Sequence, residues 1–446
     1  MPAPIAPDDS TDAPVATADP DLPATLATAV APAPAVADAP AASVPGLRLK
    51  AVLLMAGSCL PILGAVLIAP VLPRIQDHFA ATPGADALVP VALTIPALAL
   101  ALLAPFAGVL IDRLGRHRLL VGATVAYAFV GTAPLWLDSL GAIVASRALV
   151  GVTEAVIMTC CTTLIGDYWS GRTRDRYLAL QTICAAVSAT AFFAIGGAVG
   201  SAGWRAPFWA YAVSLLLAPL MATVLRPAPK AAVTATAATA AADAPAEPVG
   251  PGGGGEERPF PWRRLAPTCG LTVFGAVVFY TVPVETSYLL DDLGVTAPAV
   301  IGAATALASA ATVAGAAGFA RFTARAQRFL PQVLALCAAG FVLMAVADRA
   351  SLLVAGAVVD CLGTGVLLPL LLTRAMALLD HADRGRGTGL WTAAFFLGEF
   401  VCPLVLLAAA ALVGSLAAAV GVLAAATALV ALGVHLKDRR PVPAAV

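Results

Sequence analysis

Long apolar runs alternate with short polar breaks along most of this chain. The runs fall at roughly 50–72, 88–111, 118–137, 141–165, 177–200 and 205–225, then again at 265–289, 298–320, 330–347, 351–373, 387–411 and 414–436. A run of about 18 or more residues is long enough for an α-helix to cross the hydrocarbon core of a bilayer. The pattern therefore predicts an all-α membrane protein with twelve transmembrane helices. Between the two sets of six, Arg226 to Arg264 changes character, as Ala-Thr-Ala repeats give way to Pro251 and the run Gly252–Gly255. That is linker composition. The expected organisation is a disordered Ala/Pro/Asp-rich cytoplasmic tail over 1–47 and a six-helix bundle over 48–226. A flexible cytoplasmic linker over 227–262, a second six-helix bundle over 263–437 and a cytoplasmic tail over 438–446 complete it.

Composition supports the bilayer as solvent. Only 12% of residues are charged and the mean hydropathy is +0.91, whereas soluble domains carry about 25% charged residues. The first tail has no Lys or Arg before Arg48, so it lacks the positive start of a secretory signal. With the N-terminus placed inside, 22 Lys and Arg fall in cytoplasmic segments, against three (Arg74, Arg205 and Arg349) in outer loops. That asymmetry predicts both termini in the cytoplasm. Twenty-three Arg against three Lys in an Ala-rich chain point to a high-GC bacterial genome, hence a bacterial inner membrane.

Several chemistries are excluded by motif. The eight cysteines, Cys59, Cys160, Cys161, Cys184, Cys269, Cys337, Cys361 and Cys402, lie in apolar runs without Cys-x-x-Cys spacing, so no disulfide framework or zinc site is expected. Lys50, Lys230 and Lys437 are never preceded by Gly, which rules out a Walker A loop for ATP. No His is followed by Glu, no Ser stands in Gly-x-Ser-x-Gly, and no basic block fits nucleic acid. No cofactor is expected.

The chemistry that remains is charge inside the spans. On insertion scales a charged residue at mid-helix costs about 2.5–3.5 kcal/mol, so each should face the bundle interior. Arg147 and Glu154 share one face of span 4, about 10.5 Å apart along the axis, with Gly151 between them leaving room for a neighbouring helix. Asp360 lies in span 10, Glu399 halfway along span 11, and Glu285 near the outer end of span 7. A carboxylate in low dielectric is able to load and release a proton near neutral pH, which couples proton and substrate flow. The alternative is that Glu399 or Asp360 is a buried, satisfied structural acid, and that Arg147 and Glu154 form a structural ion pair. Tyr127, Gln181, Phe192, Phe193, Tyr280, Tyr288, Trp391, Phe395 and Phe396 either line a cavity for an apolar or cationic substrate or simply pack.

The stretch from Gly108 to Leu120 joins spans 2 and 3. Gly108, Asp112, Arg113, Gly115, Arg116 and Arg118 make it a basic, Gly-punctuated turn too short to fold alone, hence a hinge. Asp112 closes span 2 at the negative end of the helix dipole, where an anion needs another partner. The stretch resembles the loop 2–3 signature of the major facilitator superfamily. Arg147 to Gly151 resembles that family's Arg-x-x-x-Gly motif, and Trp204 to Trp209 its usual start of span 6. Gly387–Leu390 with Phe396–Phe400 and Pro403 resembles span 11 of its drug:proton antiporter branch. The span 5 motif keeps only Gly196–Gly197, without the preceding Gly-Pro, and Gly318 to Arg328 keeps the arginines of the mirror turn but not its Asp.

The resemblance implies two six-helix bundles that rock to give alternating access around a midplane site. It also implies a switch in which Asp112 meets the start of span 11 near Thr388. The expected protein is then no enzyme but a monomeric secondary transporter, exporting a small drug-like or cationic molecule in exchange for protons. The alternatives are a proton symporter or uniporter importing a metabolite, and a membrane receptor or enzyme without transport.

Overall fold

Proline and glycine decide where these apolar runs bend and touch. The computed structural model describes residues 45–106, 115–225, 260–322, 328–380 and 383–438. A helix occupies each of the twelve runs. In chain order they are α1 (Gly46–His78), α2 (Ala85–Leu103), α3 (Arg116–Leu135), α4 (Leu140–Tyr168), α5 (Gly171–Gly200) and α6 (Ala206–Val224). The second set is α7 (Trp262–Asp292), α8 (Pro298–Phe322), α9 (Leu330–Ala345), α10 (Ala350–Ala377), α11 (Arg384–Val413) and α12 (Leu416–Asp438). Among the described residues eleven of these are long and apolar enough to cross a membrane, and α9 is shorter at 16 residues. The first tail, the greater part of the central linker, and Gly108, Asp112 and Arg113 lie outside the described residues.

Several helices run past the limits that hydropathy sets. The helix α5 begins at Gly171, not near residue 177, and carries Arg172, Arg174 and Arg176 in its exposed first turns. Arginine is a good helix former, so backbone hydrogen bonding continues where apolarity stops. The helix α1 is composite: α-helix ends at Val66, a 3-10 turn covers Ala69–Val71, and a short α-helix covers Leu72–His78. Pro70 and Pro73 have no N–H to offer the carbonyls of Val66 and Ala69, which breaks the regular helix there.

The helices build two cores. One gathers Leu54, Leu67, Tyr127, Val150, Phe208 and Tyr211 from α1–α6. The other gathers Leu334, Phe341, Leu367, Leu371, Cys402 and Leu406 from α9–α11, with Val277 and Val278 from α7. Where the two bundles meet, α5 packs along α8 and α2 along α11. Within a bilayer no hydrophobic force drives helices together, so close van der Waals contact through small residues must do so. Gly197 of α5 and Gly302 of α8 supply it: a Cβ built on either would stand 2.8 Å from the other's Cα. At that same end the last part of α1 touches α7 and α8. Toward Gly171, by contrast, α5 has no buried residue before Phe193. The bundle boundary is therefore tight at the Gly197 end.

Candidate functional site

Pro96 creates the first half of the site. It stands in α2 without an N–H, so the carbonyl of Ala92, four residues earlier, has no intrahelical donor. Arg147 of α4 fills that vacancy, its Nε donating to Ala92 O at 3.2 Å. Its other nitrogens donate to Gly64 O at 2.6 Å and to the Tyr211 hydroxyl at 2.5 Å. Gly64 lies two residues before α1 loses its α-helical form at Val66. One turn beyond Arg147, Gly151 lies against Pro96, where a Cβ would come 2.5 Å from Pro96 Cα. The Arg-x-x-x-Gly spacing is thus a receptacle for a proline kink, and fully buried Arg147 ties α1, α2, α4 and α6 together.

Glu154 remains apart from this knot. It is 1% exposed, its Oε1 has no hydrogen-bond partner, and it rests against Gly64. Among the described residues Arg147 and Glu154 form no ion pair, correcting one reading of their shared face. The guanidinium is already occupied by two carbonyls and a hydroxyl, and Gly64 stands between the two side chains. Tyr127, facing Glu154 from α3, donates to Leu60 O at 2.6 Å and packs its ring 5.1 Å from that of Tyr211.

The second bundle contributes Glu399. Gly398 brings α11 hard against α7, where its Cβ would lie 2.6 Å from that of Ala276. This places Glu399, 3% exposed with Oε2 unpartnered, beside the Tyr280 hydroxyl. Trp391, Phe395 and Glu399 follow at intervals of four, one face of α11. The Trp391 and Phe395 rings lie parallel with centroids 5.9 Å apart. Phe395 also meets Tyr280 at 5.7 Å, Phe279 at 6.2 Å and Phe396 at 5.2 Å. An aromatic wall shared by α7 and α11 therefore leads to the Glu399 carboxyl.

Other expected residues lie elsewhere. Asp360 is fully buried in the seam of α9 and α10, where a Cβ on Gly340 would stand 2.8 Å from that of Asp360. Both its carboxyl oxygens lack partners, so it is neither a satisfied acid nor part of the boundary. Glu285 is buried on α7 near Tyr288 and Cys402. Tyr127 and Phe193 belong to the first core, with Phe192 packed against it, rather than to an open path. Gln181 donates to Ser58 Oγ at 2.7 Å and Thr162 Oγ1 at 3.2 Å, tying α5 to α1 and α4. At the hinge, Gly115 adopts φ +86° ahead of α3, and Arg116 pairs with Asp167 at the end of α4. Thr388, near the start of α11, bonds back to Arg384 O at 2.8 Å.

Sequence reasoning missed Tyr211, Phe279, Asp167 and the Thr190–Ser309 contact. Only the first had a readable signal, since a span arginine requires polar partners and Tyr211 stands in a neighbouring run. The eight cysteines are free thiols, and among the described residues no three metal-ligating side chains converge.

The family model described as Major Facilitator Superfamily matches residues 54–331. The tetracycline resistance protein, class C, of Escherichia coli is 36% identical over 155 residues, covering 34% of this chain and 38% of that protein. Protein spinster homolog 3 of Danio rerio is 32% identical over 162 residues, covering 34% of this chain and 30% of that protein. The chain thus matches well under two thirds of the length of either relative. Among solved structures, a D-xylose-proton symporter superposes with a TM-score of 0.69 at 14% identity, covering 86% of this chain and 96% of that one. A bacterial homologue of the human lysosomal transporter Spinster, inward-facing and unoccupied, superposes with a TM-score of 0.64 at 17% identity, covering 90% and 100%. At such identities the likeness is one of fold.

Proposed function

The chain belongs to the Major Facilitator Superfamily, and from that premise we propose that it exports a small cationic or drug-like molecule in exchange for protons. As a member it is a multi-pass membrane transporter and not an enzyme. One observation carries the finer reading. Two buried acids from opposite bundles, Glu154 and Glu399, each keep a carboxyl oxygen without a partner, and an aromatic wall leads to Glu399. A proton or an organic cation is what such a site takes. The match to a tetracycline resistance protein supports export, though it covers 34% of the chain.

The proposal places the chain as a monomer in a bacterial inner membrane with both termini inside, following the Lys and Arg asymmetry. On that placement the tight Gly197–Gly302 seam is on the outer side and must part to release substrate outward. Gly108, Asp112, Arg113, Gly115 and Arg116 act as the switch between states, and an ion gradient rather than ATP supplies the energy. Arg147 orders the first bundle, while Glu285 and Asp360 are the reserve candidates for proton coupling.

The test uses everted membrane vesicles with an acid interior reported by a pH-sensitive dye. Tetracycline, ethidium and common sugars are added in turn to wild type, Glu399→Gln and Asp112→Asn. Export predicts that tetracycline or ethidium dissipates the gradient in wild type alone. Labelled substrate crossing with no movement of protons sinks the antiport reading. Dissipation by a sugar, with uptake into whole cells, replaces it with symport.

A further inference from the structure

A cluster of unpaired arginines stands where α7 begins, α10 ends and α11 begins. These three helix ends meet at Gly387, where a Cβ would overlap the Leu379 side chain and lie 3.8 Å from Leu265 Cδ2. Leu265, Ala375 and Leu379 form a small buried core there, with Phe260, Met376 and Trp391 packed on it. The surface over this core carries Arg263 and Arg264 of α7, Arg374 of α10, and Arg384 and Arg386 of α11. Four of them are exposed and Arg374 is half-buried. Asp380 and Asp383 are the acids in the same stretches, so five guanidiniums stand against two carboxylates. Among the described residues none of the five forms an ion pair, whereas in the first bundle Arg116 pairs with Asp167 and Arg174 with Asp175.

Aromatic rings share the patch. The Arg386 guanidinium lies over the Phe260 ring, 5.9 Å from its centroid, and that of Arg263 lies 5.6 Å from the Trp262 ring. Trp262 is 59% exposed, although it opens a helix long and apolar enough to cross the membrane. Such a helix end lies where hydrocarbon gives way to headgroups, and an exposed tryptophan settles at that level. Guanidiniums gathered without acids repel one another, and an anion between them removes that cost. The planar fork of arginine takes two phosphate oxygens at once. Positive charge beside an interfacial ring is the complement of an anionic lipid surface.

We infer that this corner binds the phosphate headgroup of an anionic phospholipid. Arg263, Arg264 and Arg386 hold the phosphate, Arg374 and Arg384 add charge around it, and Trp262 packs along the lipid below its headgroup. One headgroup then ties the starts of α7 and α11 together. The same end of α11 comes beside α2, where a Cβ on Gly389 would lie 4.0 Å from Pro105 Cα. The bound lipid therefore braces the second bundle next to the surface on which the two bundles move. The inference is independent of what the protein transports and in which direction.

Native mass spectrometry of the full chain in neutral detergent, titrated with phosphatidylglycerol or phosphatidylcholine, tests this. Wild type is expected to retain phosphatidylglycerol in preference to phosphatidylcholine. Each arginine removed should weaken retention about fivefold, so Arg263→Gln with Arg386→Gln should weaken it about 25-fold. Arg172→Gln with Arg176→Gln removes two charges from the start of α5 and is expected to bind as wild type does. An equal loss in that α5 variant means that the lipid reads overall charge and overturns the site. Equal retention of the two lipids by wild type overturns it as well. If excess inorganic phosphate displaces all the phosphatidylglycerol, the corner takes free phosphate and the lipid assignment falls. A readout that needs no variant is salt: raising it from about 50 to about 500 mM should release the lipid from wild type, and undiminished retention overturns a headgroup held by charge. Thermal unfolding without added lipid checks that the variants are folded.

Discussion

The hydroxyls of Thr190 and Ser309 lie 3.0 Å apart, joining α5 of the first bundle to α8 of the second. The bond crosses the surface along which the bundles must move, and it belongs to the closed form of the seam. A hydrogen bond between membrane helices contributes about 0.6 kcal/mol on average. Thr190→Val or Ser309→Ala is therefore expected to reduce the seam-closed population about threefold, as read by spin-label distances between α5 and α8. The double variant should match either single one. Full additivity would mean that each hydroxyl acts through another partner.

A bulkier effect is expected seven residues away. The Gly197–Gly302 crossing leaves no room for a side chain, and forced overpacking costs about 1–3 kcal/mol. Gly197→Leu should hold the seam open and stop turnover while the protein still reaches the membrane. Cysteine pairs placed across the α5–α8 seam would then cross-link poorly. Efficient cross-linking in Gly197→Leu would show that the glycines are not what permits closure.

Arg147 and Pro96 should behave as a coupled pair. Arg147→Met leaves the Ala92 carbonyl buried without a donor, at about 1–3 kcal/mol, and lowers the melting temperature. Pro96→Ala restores a backbone N–H that fills the same carbonyl, so the double variant should recover part of the loss. Thermal unfolding in detergent of the two single variants and the double variant measures the coupling, expected to exceed about 0.5 kcal/mol. Strict additivity would mean that Arg147 does not compensate the kink.

Asp360 provides a contrast with Glu399. It is sealed in the seam of α9 and α10, away from the aromatic wall, so Asp360→Asn is expected to keep proton-linked flux near wild type while Glu399→Gln loses it. The asparagine variant should also melt no lower than wild type, because the seam supplies the carboxyl with no hydrogen bond to lose. Loss of proton-linked flux in Asp360→Asn, in correctly folded protein, would move the coupling site into the second bundle.

Much of this architecture is a local property of the chain. An apolar run of sufficient length must be helical to satisfy its backbone in lipid, so the runs themselves announced twelve helices. The polar stretch after Arg226 divided them into two sets. Charged residues within spans were equally legible as a class, because each is costly to place there, and Arg147, Glu154, Glu285, Asp360 and Glu399 are all buried as that cost requires. What the runs did not carry was the helices' continuation through charged ends, as in α5, where hydropathy falls but hydrogen bonding persists.

The sequence by itself determined the helices, their grouping and the small set of residues able to carry charge through a membrane. Only the tertiary structure decided which of these meet. The partner of Arg147 turned out to be a carbonyl released by Pro96, 51 residues away, rather than the acid seven residues along its own helix. Glu154 came to rest against Gly64 of α1 and Glu399 beside Tyr280 of α7, while Asp360 was sealed in the seam of α9 and α10. The physical reason is that helix formation and its solvation cost depend on neighbours along the chain. Partner choice depends on which helix faces abut, and that is set by close contacts such as Gly151 on Pro96 and Gly197 on Gly302.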